Sequence, residues 1–383
     1  MIRTLAVSNY RSLKDFKLDP APLTIVSGAN GSGKSNLYRA LRILQSAADG
    51  TLAATLAAEG GIPSIQWAGP ADVRAQAKRG VAFQGTARTS PLRVSFGFAT
   101  EDVAYEIALG LPAPSSSLFA LDPEVKSEHV WHSPPRRKAN TYLERSGPAV
   151  HARSAGGDWE LVDFRPPPHR SVLAELSEPG RFPEVFALRE RVRKWRFYDG
   201  FRTDAESPIR LSRVGVRTEM LAHDGRDLAA ALQTILEVGN DEALHTAIDD
   251  AFPGARLVVS GDEGARLRIA LQFEGLLRPM DAAELSDGTL RYLCLVAALH
   301  GPRPPELVVL NEPEGSLHPD LLRPLARQIA HASERTQLWV ITHSQPLVEA
   351  IERLARVDAV ELGRVAGETR IRGQDTLDEP AWP

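Results

Sequence analysis

The chain of 383 residues is long enough for one large core or two smaller ones, and its 43% hydrophobic and 25% charged residues are typical of globular proteins. No apolar run approaches the roughly 18 residues needed to cross a bilayer, and the N-terminus lacks the apolar segment of a secretory signal. We therefore expect a cytoplasmic protein without a membrane segment. The single cysteine, Cys294, excludes an intramolecular disulfide, and a net charge of −4 limits nucleic-acid contacts to a local patch.

The N-terminal elements predict a strand, a glycine-rich loop and a helix in succession. Apolar residues recur through a first strand at residues 2–7, and a compact apolar run at residues 23–26 predicts a second strand. After the glycine-rich stretch, the apolar residues between positions 37 and 44 have helical spacing. This order of strand, loop and helix is the context in which phosphate-binding motifs occur.

The central part of the chain has a different pattern. Between about residues 81 and 164, polar and apolar residues alternate between turn signals, which predicts several antiparallel hairpins. A helix is predicted at residues 183–196, and a second one begins at Asp227. A further hairpin is expected to have its turn at residues 261–264. These patterns predict an antiparallel β subdomain and a helical lobe.

The C-terminal part alternates between short apolar strands and helices. Strands are predicted at residues 307–310 and 338–342, and helices begin near Ser286 and after Pro319. Because short apolar strands that alternate with helices form buried parallel sheets, we expect an α/β fold with a mainly parallel core sheet.

The sequence GANGSGKS at residues 28–35, which we name the phosphate loop, matches the motif G-x-x-x-x-G-K-[ST]. Its glycines let consecutive backbone N–H groups turn toward phosphate oxygens, and the start of the next helix favours anions. Lys34 is expected to reach the β and γ phosphates, and Ser35 to hold Mg²⁺. The alternative is a glycine turn that only begins a helix. The residues predicted to bind the nucleotide are Gly28, Asn30, Gly31, Ser32, Gly33, Lys34, Ser35 and Asn36.

The sequence LVVLNEPEGSLHP places polar residues at the end of the strand predicted at residues 307–310. In parallel sheets, this end of the strands carries catalytic groups. Asn311 is expected to support Mg²⁺, and Glu312 is expected to be the general base that deprotonates the attacking water. A solvated acidic cluster is the alternative interpretation of this sequence.

Two further motifs, LSDGT and THS, are short, and their order in the chain after the phosphate loop favours a functional interpretation of both. In LSDGT, Ser286 and Gly288 begin an apolar helix and offer backbone N–H groups for a second contact to a γ-phosphate. In THS, His343 follows the last apolar strand and could bind the γ-phosphate or the attacking water. An ordinary helix cap and an ordinary loop histidine are the alternatives.

In chain order, these motifs resemble the ABC-class P-loop ATPase heads of the SMC, RecF and OLD-like group. The chain is most similar to the compact bacterial proteins known as predicted AAA-type ATPases, which WRFYDGFRTD and HDGRDLAAAL also fit. The resemblance implies a single two-lobed ABC-type ATPase head. Its predicted parts are an N-terminal lobe with the phosphate loop at residues 1–112, a β-rich and linker insertion without coiled-coil arms at residues 113–200, and a C-terminal lobe at residues 201–383.

The resemblance also implies the ligands and the assembly. ATP and Mg²⁺ are the expected cofactors, Lys34 and Glu312 the catalytic residues, and His343 the switch residue. Ser286 and Gly288 would contact the ATP bound by a second subunit, so that ATP holds a homodimer together.

Three other positions follow from the same resemblance. Arg11, next to Ser12, is expected near the nucleotide base. A glutamine that senses the γ-phosphate is also expected, with Gln66 and Gln84 as the two candidates.

One position departs from the family's pattern, in which the strand usually ends in Asp-Glu. Here it ends in Asn311 and Glu312. An amide accepts hydrogen bonds but has no negative charge, so weaker Mg²⁺ binding and slow hydrolysis are expected. We hypothesise that Glu314 or Glu312 partly compensates for the missing charge.

Two functions are consistent with these residues. In the first, ATP-dependent dimerisation drives a DNA-related task, either repair or defence against foreign DNA, with DNA contacts at the basic residues 189–196 and 136–138. For the first of these segments, a solvated helix with Trp195 in the core is the alternative. In the second, a slow or non-hydrolysing nucleotide-gated switch regulates a separate effector protein.

Overall fold

The computed structural model describes residues 1–69, 93–114, 116–119, 121–132 and 135–374. Within these residues the chain forms two units and passes between them more than once. The first unit holds residues 1–20, 27–195 and 360–374, and the second holds residues 21–26 and 196–359. The phosphate loop therefore belongs to the first unit, and the NEPE and THS sequences belong to the second.

The described residues contain eighteen strands, ten α-helices and three short 3₁₀ helices. The strands are β1 (Thr4–Tyr10), β2 (Leu13–Leu18), β3 (Leu23–Gly28), β4 (Val94–Ala99), β5 (Ala104–Gly110), β6 (Glu124–Trp131), β7 (Thr141–Ser146), β8 (Ala149–Arg153), β9 (Trp159–Leu161), β10 (Arg196–Tyr198), β11 (Arg213–Val214), β12 (Arg256–Gly261), β13 (Arg266–Gln272), β14 (Met280–Asp281), β15 (Leu307–Asn311), β16 (Gln337–Ile341), β17 (Asp358–Val365) and β18 (Glu368–Ile371). The helices are α1 (Lys34–Asp49), α2 (Leu52–Ala58), α3 (Gly61–Ile65), α4 (Val172–Glu175), α5 (Pro183–Arg193), α6 (Leu228–Val238), α7 (Asp241–Ala251), α8 (Asp287–His300), α9 (Leu322–Ser333) and α10 (Gln345–Glu352).

The first unit is built on an antiparallel sheet of eight strands in the order β2-β1-β4-β5-β6-β7-β8-β9. Along β7, for example, buried residues alternate with residues that are exposed or partly exposed, because successive side chains of a strand point to opposite faces. The antiparallel hairpins that the alternating pattern predicts are thus confirmed within the described residues. The strands β17 and β18 form a further hairpin, paired from Leu362 to Ile371.

The helix that follows the phosphate loop, α1, buries most of its residues in the first unit. The Gln45 side chain donates a hydrogen bond to the backbone carbonyl of Trp195 at 2.7 Å. The Trp195 ring is buried and meets Phe98 edge to face at 5.0 Å. Trp195 is therefore a core residue, as its alternative interpretation predicted.

The second unit has four parallel strands in the order β10, β15, β16 and the first part of β3. The apolar residues of β15 and all residues of β16 are buried, as expected for strands covered on both faces. Helix α8 packs against α6, α7 and α9 within a single apolar core. The α/β fold with a mainly parallel core sheet is confirmed.

One predicted helix is too long. The helix expected at residues 183–196 ends at Arg193, and Arg196 begins strand β10. The strand forms because Arg196, Phe197 and Tyr198 pair in parallel register with the apolar strand β15. Tertiary pairing therefore overrides the helical spacing of the charged residues, and it adds a strand that the sequence analysis missed.

The other elements predicted in the second unit are present, and α7, α10, β11 and β14 are additional to them. The strands β12 and β13 form the predicted hairpin, and β11 and β14 extend it. The Cys294 thiol lies in the core, where burial raises its pKa. None of the described helices is both long and apolar enough to cross a membrane.

Candidate functional site

The phosphate loop owes its shape to glycine. Gly28, Gly31 and Gly33 all have positive φ angles, of 143°, 77° and 113°. At Gly33 a Cβ atom would lie 2.1 Å from Thr369 Oγ1, and at Gly28 it would lie 2.4 Å from the carbonyl oxygen of Leu362. No side chain caps the start of α1. The backbone N–H groups there are available to an anion, as a phosphate-binding loop requires.

Lys34 and Ser35 lie at the first turn of α1. The Lys34 side chain is buried and donates hydrogen bonds to the backbone carbonyls of Gly28 at 2.5 Å and Ala29 at 3.2 Å. Its ammonium group therefore lies over the loop, and an ammonium has three N–H donors to share with phosphate oxygens. Ser35 is exposed at the same helix end, as are Asn30 and Gly31.

Residues distant in sequence hold the loop from outside. The Thr369 hydroxyl donates to the backbone carbonyl of Ser32 at 2.8 Å and lies 2.6 Å from the Ser12 hydroxyl. The Asn36 side chain donates to the same Ser12 hydroxyl at 2.8 Å. The resemblance implies that Ser12 lies near the nucleotide base, but within this unit it is a contact of the loop and of β18. The sequence analysis missed Thr369, because nothing in its local sequence indicates the contact.

Arg11 contacts an acidic side chain of its own unit. Its guanidinium donates to Glu59 Oε2 at 2.9 Å, and the Tyr10 hydroxyl donates to the same oxygen at 2.6 Å. Burial and the Glu59 carboxylate both raise the pKa of Tyr10. Gln66 forms a β-bridge with Tyr10. The other candidate glutamine, Gln84, lies outside the described residues.

In the second unit, the parallel strands end side by side. Asn311, Ile341 and Val26 are aligned in register at the ends of β15, β16 and the paired part of β3. The Asn311 side chain donates a hydrogen bond to Asp199 Oδ1 at 2.6 Å. Asp199 directly follows β10, so it stands beside Asn311 at the same sheet edge. The carboxylate that contacts Asn311 is therefore Asp199. Compensation of the missing charge by Glu314 or Glu312 stays a hypothesis.

Glu312 has a backbone conformation that is unusual for a residue with a side chain. Its φ angle is 48°, in the left-handed region. Its N–H donates to the carbonyl of Ile341 at 2.8 Å, and its carbonyl accepts from the Arg291 guanidinium at 2.8 Å. Burial lowers the pKa of Arg291, and nearby Glu314 opposes that shift. Strained backbone that is held by its surroundings is common at functional sites.

His343 lies between two carboxylates. Its Nδ1 atom is 3.5 Å from Glu312 Oε1 and 3.6 Å from Glu314 Oε1. Glu314 is buried, with 8% of its side chain exposed, and accepts hydrogen bonds from the Thr342 hydroxyl at 2.5 Å and from the His343 N–H at 3.3 Å. Glu314 thus joins the NEPE and THS sequences. We name these residues the strand-end cluster: Asp199, Arg291, Asn311, Glu312, Glu314, Thr342 and His343.

Ser286 and Gly288 lie at the start of α8. The Ser286 hydroxyl caps the helix by accepting from the Thr289 N–H at 3.1 Å. A Cβ atom at Gly288 would lie 2.9 Å from the carbonyl oxygen of Ser316, so glycine allows a close approach of two segments. An open cleft lies between this helix start and the residues 316–321.

Arg210 holds the segment before α8 in position, and the sequence analysis missed it. Its buried guanidinium donates to the carbonyls of Ala282 at 2.7 Å and Leu285 at 2.8 Å. It also forms an ion pair with Asp287 at 2.7 Å. These bonds fix the backbone on both sides of Ser286.

The basic segment around α5 has acidic partners within its own unit. Arg191 pairs with Asp102 at 2.8 Å, and Arg193 lies 3.4 Å from Asp49. Further along the sheet, Arg136 lies over the Trp131 ring. At least two arginines of this segment, Arg191 and Arg193, therefore have an acidic partner in their own unit.

Comparisons with known proteins agree with this fold. Residues 23–349 match the family described as "AAA domain, putative AbiEii toxin, Type IV TA system". A solved SMC head bound to the C-winged helix domain of ScpA has a TM-score of 0.51 at 14% identity, and the alignment covers 97% of each chain. An SMC head domain from Thermotoga maritima gives a TM-score of 0.44 at 16% identity, covering 98% of this chain and 99% of that one.

A comparison with curated proteins gives no match. The first structural likeness shows the fold of an SMC head, and the family match covers most of the chain. The chain belongs to this AAA-domain family, and its fold is that of an SMC-type P-loop ATPase head.

Proposed function

We propose that this chain binds ATP with Mg²⁺, hydrolyses it and forms a homodimer while ATP is bound. The observation that carries the hydrolysis proposal is Glu312, which is held in a strained conformation at a strand end with His343 beside it. The Glu312 carboxylate is half exposed beside His343, so a water molecule can reach it and it can accept a proton from that water.

The phosphates would bind at the phosphate loop. The backbone N–H groups at the start of α1, together with the Lys34 ammonium, supply positive charge and hydrogen-bond donors for the β and γ phosphates. Lys34 would exchange its contacts with the carbonyls of Gly28 and Ala29 for contacts with phosphate oxygens.

The residue types of each unit fit Mg²⁺ or its bound water. Ser35 of the first unit offers a hydroxyl oxygen, and Asn311 of the second unit offers an amide oxygen that can accept a hydrogen bond from metal-bound water; oxygen atoms are the ligands that Mg²⁺ prefers. When bound, Mg²⁺ would neutralise charge on the β and γ phosphates. The chain's own part is to present these oxygens and to supply the base.

Hydrolysis would proceed by attack of a water oxygen on the γ-phosphorus. The bond between the γ-phosphorus and the oxygen that bridges to the β-phosphate breaks, and the products are ADP and inorganic phosphate. Glu312 accepts the proton of the attacking water. His343 orients Glu312 and the water, because its ring nitrogen lies within 3.5 Å of the carboxylate.

The helix start at Ser286 supports the dimer proposal. Ser286 and Gly288 face an open cleft, and Arg210 fixes the backbone around them. In the proposed dimer, this edge contacts the ATP bound by a second subunit. ATP then joins the two subunits, and hydrolysis releases them.

The cellular task that we propose is defence against foreign DNA, with repair as the other candidate. The family's description names a putative toxin of a toxin–antitoxin system, which supports defence. The SMC head in the first solved structure is bound to a separate protein domain, which supports an effector partner as well.

Phosphate release from Mg·ATP by the purified chain, with and without linear DNA, tests this proposal. Lys34→Ala supplies the blank, because it removes the phosphate-binding ammonium. We expect turnover above the blank and a further increase with DNA. Turnover equal to the blank would contradict hydrolysis and favour the nucleotide-gated switch, whereas turnover that DNA does not change would contradict the DNA-related task.

Light scattering with and without ATP tests the dimer. Ser286→Ala should weaken ATP-dependent dimerisation, because the side chain that faces the cleft is lost. Asn240→Ala is the matched control, since Asn240 caps α7 in the same way, by accepting from the Ala243 N–H at 2.9 Å. Equal loss of the dimer in both variants would show that helix stability, and not a contact with ATP, is responsible.

A further inference from the structure

The hydrogen bond between Asn311 and Asp199 determines how the amide is oriented. An ionised carboxylate can only accept hydrogen bonds, so the side of the Asn311 amide that faces Asp199 must be its NH₂ group. The amide oxygen is therefore directed away from Asp199. Among the described residues, the structure gives this oxygen no hydrogen-bond donor, so it remains able to accept one.

The pair also has the charge that the asparagine lacks. Asp199 and Asn311 together hold one negative charge, the same charge as the single aspartate with which the family's strand usually ends. The donor and acceptor are 2.6 Å apart, and hydrogen bonds to a charged acceptor are shorter and stronger than those between neutral groups. A charge at this distance makes the amide oxygen a better acceptor, because hydrogen bonds in series polarise one another.

The parallel register keeps the two side chains together. Tyr198 pairs with Leu310; Asp199 directly follows β10, and Asn311 is the last residue of β15. Arg291 extends from α8 to the same edge, where its guanidinium donates to the backbone carbonyl of Glu312 at 2.8 Å and lies 3.5 Å from that of Asp199. The pair is thus fixed by two strands and a helix of one unit.

We propose that Asp199 is a positioning residue for Mg²⁺. It orients Asn311 so that the amide oxygen accepts a hydrogen bond from the hydration shell of the ion, and it supplies the negative charge that the Asn311 side chain lacks. This inference rests on the proposed function, because it assumes that this chain binds Mg·ATP.

The proposal predicts that an aspartate at position 311 is harmful while Asp199 is present. Asn311→Asp would place two carboxylates at hydrogen-bonding distance, where like charges repel. Asp199→Asn would leave the Asn311 side chain without a charged partner. The exchanged pair, Asp199→Asn with Asn311→Asp, restores one carboxylate and one amide in contact and leaves the net charge of the chain unchanged.

The experiment measures the Mg²⁺ concentration that gives half-maximal binding of a fluorescent ATP analogue, and it uses the full chain. Each single variant should raise this concentration roughly 10- to 100-fold, which is the usual cost of losing an outer-shell partner of a metal ligand. The exchanged pair should return close to the wild-type value. Glu263→Gln, which removes an exposed carboxylate in the turn between β12 and β13, is the matched control and should have no effect.

The outcomes separate this inference from the proposed function. If Asp199→Asn leaves the Mg²⁺ requirement unchanged, or if the effects of the two substitutions simply add in the exchanged pair, the positioning role is wrong although nucleotide still binds. If the wild type binds no more nucleotide than Lys34→Ala, the proposed function itself is wrong. Melting temperatures of all variants identify any loss of binding that comes from misfolding. If a single variant misfolds, the Mg²⁺ requirement of the exchanged pair still tests whether Asp199 positions Asn311.

Discussion

In the phosphate loop, the conformation of the backbone determines the shape of the site, whereas in the strand-end cluster the contacts between side chains determine it. The loop depends on glycines at positive φ and on N–H groups that are free of side-chain caps. The cluster depends on carboxylates, an amide, a guanidinium and a histidine from four segments of the chain. We infer that added bulk damages the loop most and that changes of charge or hydrogen bonding damage the cluster most.

The largest effect on stability is expected from adding a methyl group to the loop. Gly33→Ala would place a Cβ atom 2.1 Å from Thr369 Oγ1 at a φ of 113°. We expect the free energy of unfolding to fall by about 3 kcal/mol, from overpacking and backbone strain together. Nucleotide affinity should be lost as well. Denaturant titration and binding of a fluorescent ATP analogue measure the two effects.

Gly31→Ala is the matched control for this change. Gly31 has a φ of 77°, but no atom lies within 4 Å of the position of its Cβ. Only strain of the left-handed backbone is expected, about 1 kcal/mol. Equal losses in the two variants would contradict the role of Thr369 in limiting space at Gly33.

In the strand-end cluster, we expect Thr342→Val to cost less stability than Gly33→Ala does. We also expect it to reduce ATP turnover. Thr342→Val removes the hydroxyl that donates to Glu314 and accepts from the Ser344 N–H at 2.9 Å. Because one partner is a charged group, the free energy of unfolding should fall by about 2 kcal/mol. Phosphate release should fall as well, since the segment that presents His343 loses its anchor, whereas nucleotide affinity should change little. Thr342→Ser keeps the hydroxyl and should behave as the wild type.

The smallest loss of stability is expected when the threonine beside the phosphate loop, Thr369, is replaced by valine. Thr369→Val removes a hydroxyl that donates to the neutral carbonyl of Ser32. The free energy of unfolding should fall by about 1 kcal/mol, as is usual for a hydrogen bond between uncharged groups. Phosphate release should be nearly unchanged, because the backbone of the loop keeps its glycines. If Thr369→Val reduced turnover more than Thr342→Val does, the contrast between the two regions would be wrong.

The same contrast explains what the sequence can predict. The phosphate loop is a contiguous segment, and its motif depends on local conformation, so residues 28–35 are recognisable from the order of amino acids alone. The strand β15 and the residues at its tip are recognisable for the same reason, because an apolar run followed by acids is a local pattern.

The residues that the sequence does not predict act across long separations. Asp199 meets Asn311 only because β10 and β15 pair, whereas the helical spacing of the preceding residues predicts a helix that continues into β10. Thr369 meets the loop only because the hairpin of β17 and β18 brings it there. The one local signal is RFY, a three-residue segment with two aromatic residues that is followed by the acid Asp199. Three residues are too few to separate a strand from the end of a helix by their periodicity.

The most direct test of the account compares Glu312→Gln with Lys34→Ala for both nucleotide affinity and phosphate release. If the loop binds and the strand end hydrolyses, Lys34→Ala loses affinity. Glu312→Gln should keep its affinity while turnover falls roughly 10²- to 10⁴-fold, the usual contribution of a general base. A Glu312→Gln protein that releases phosphate as fast as the wild type would contradict the account.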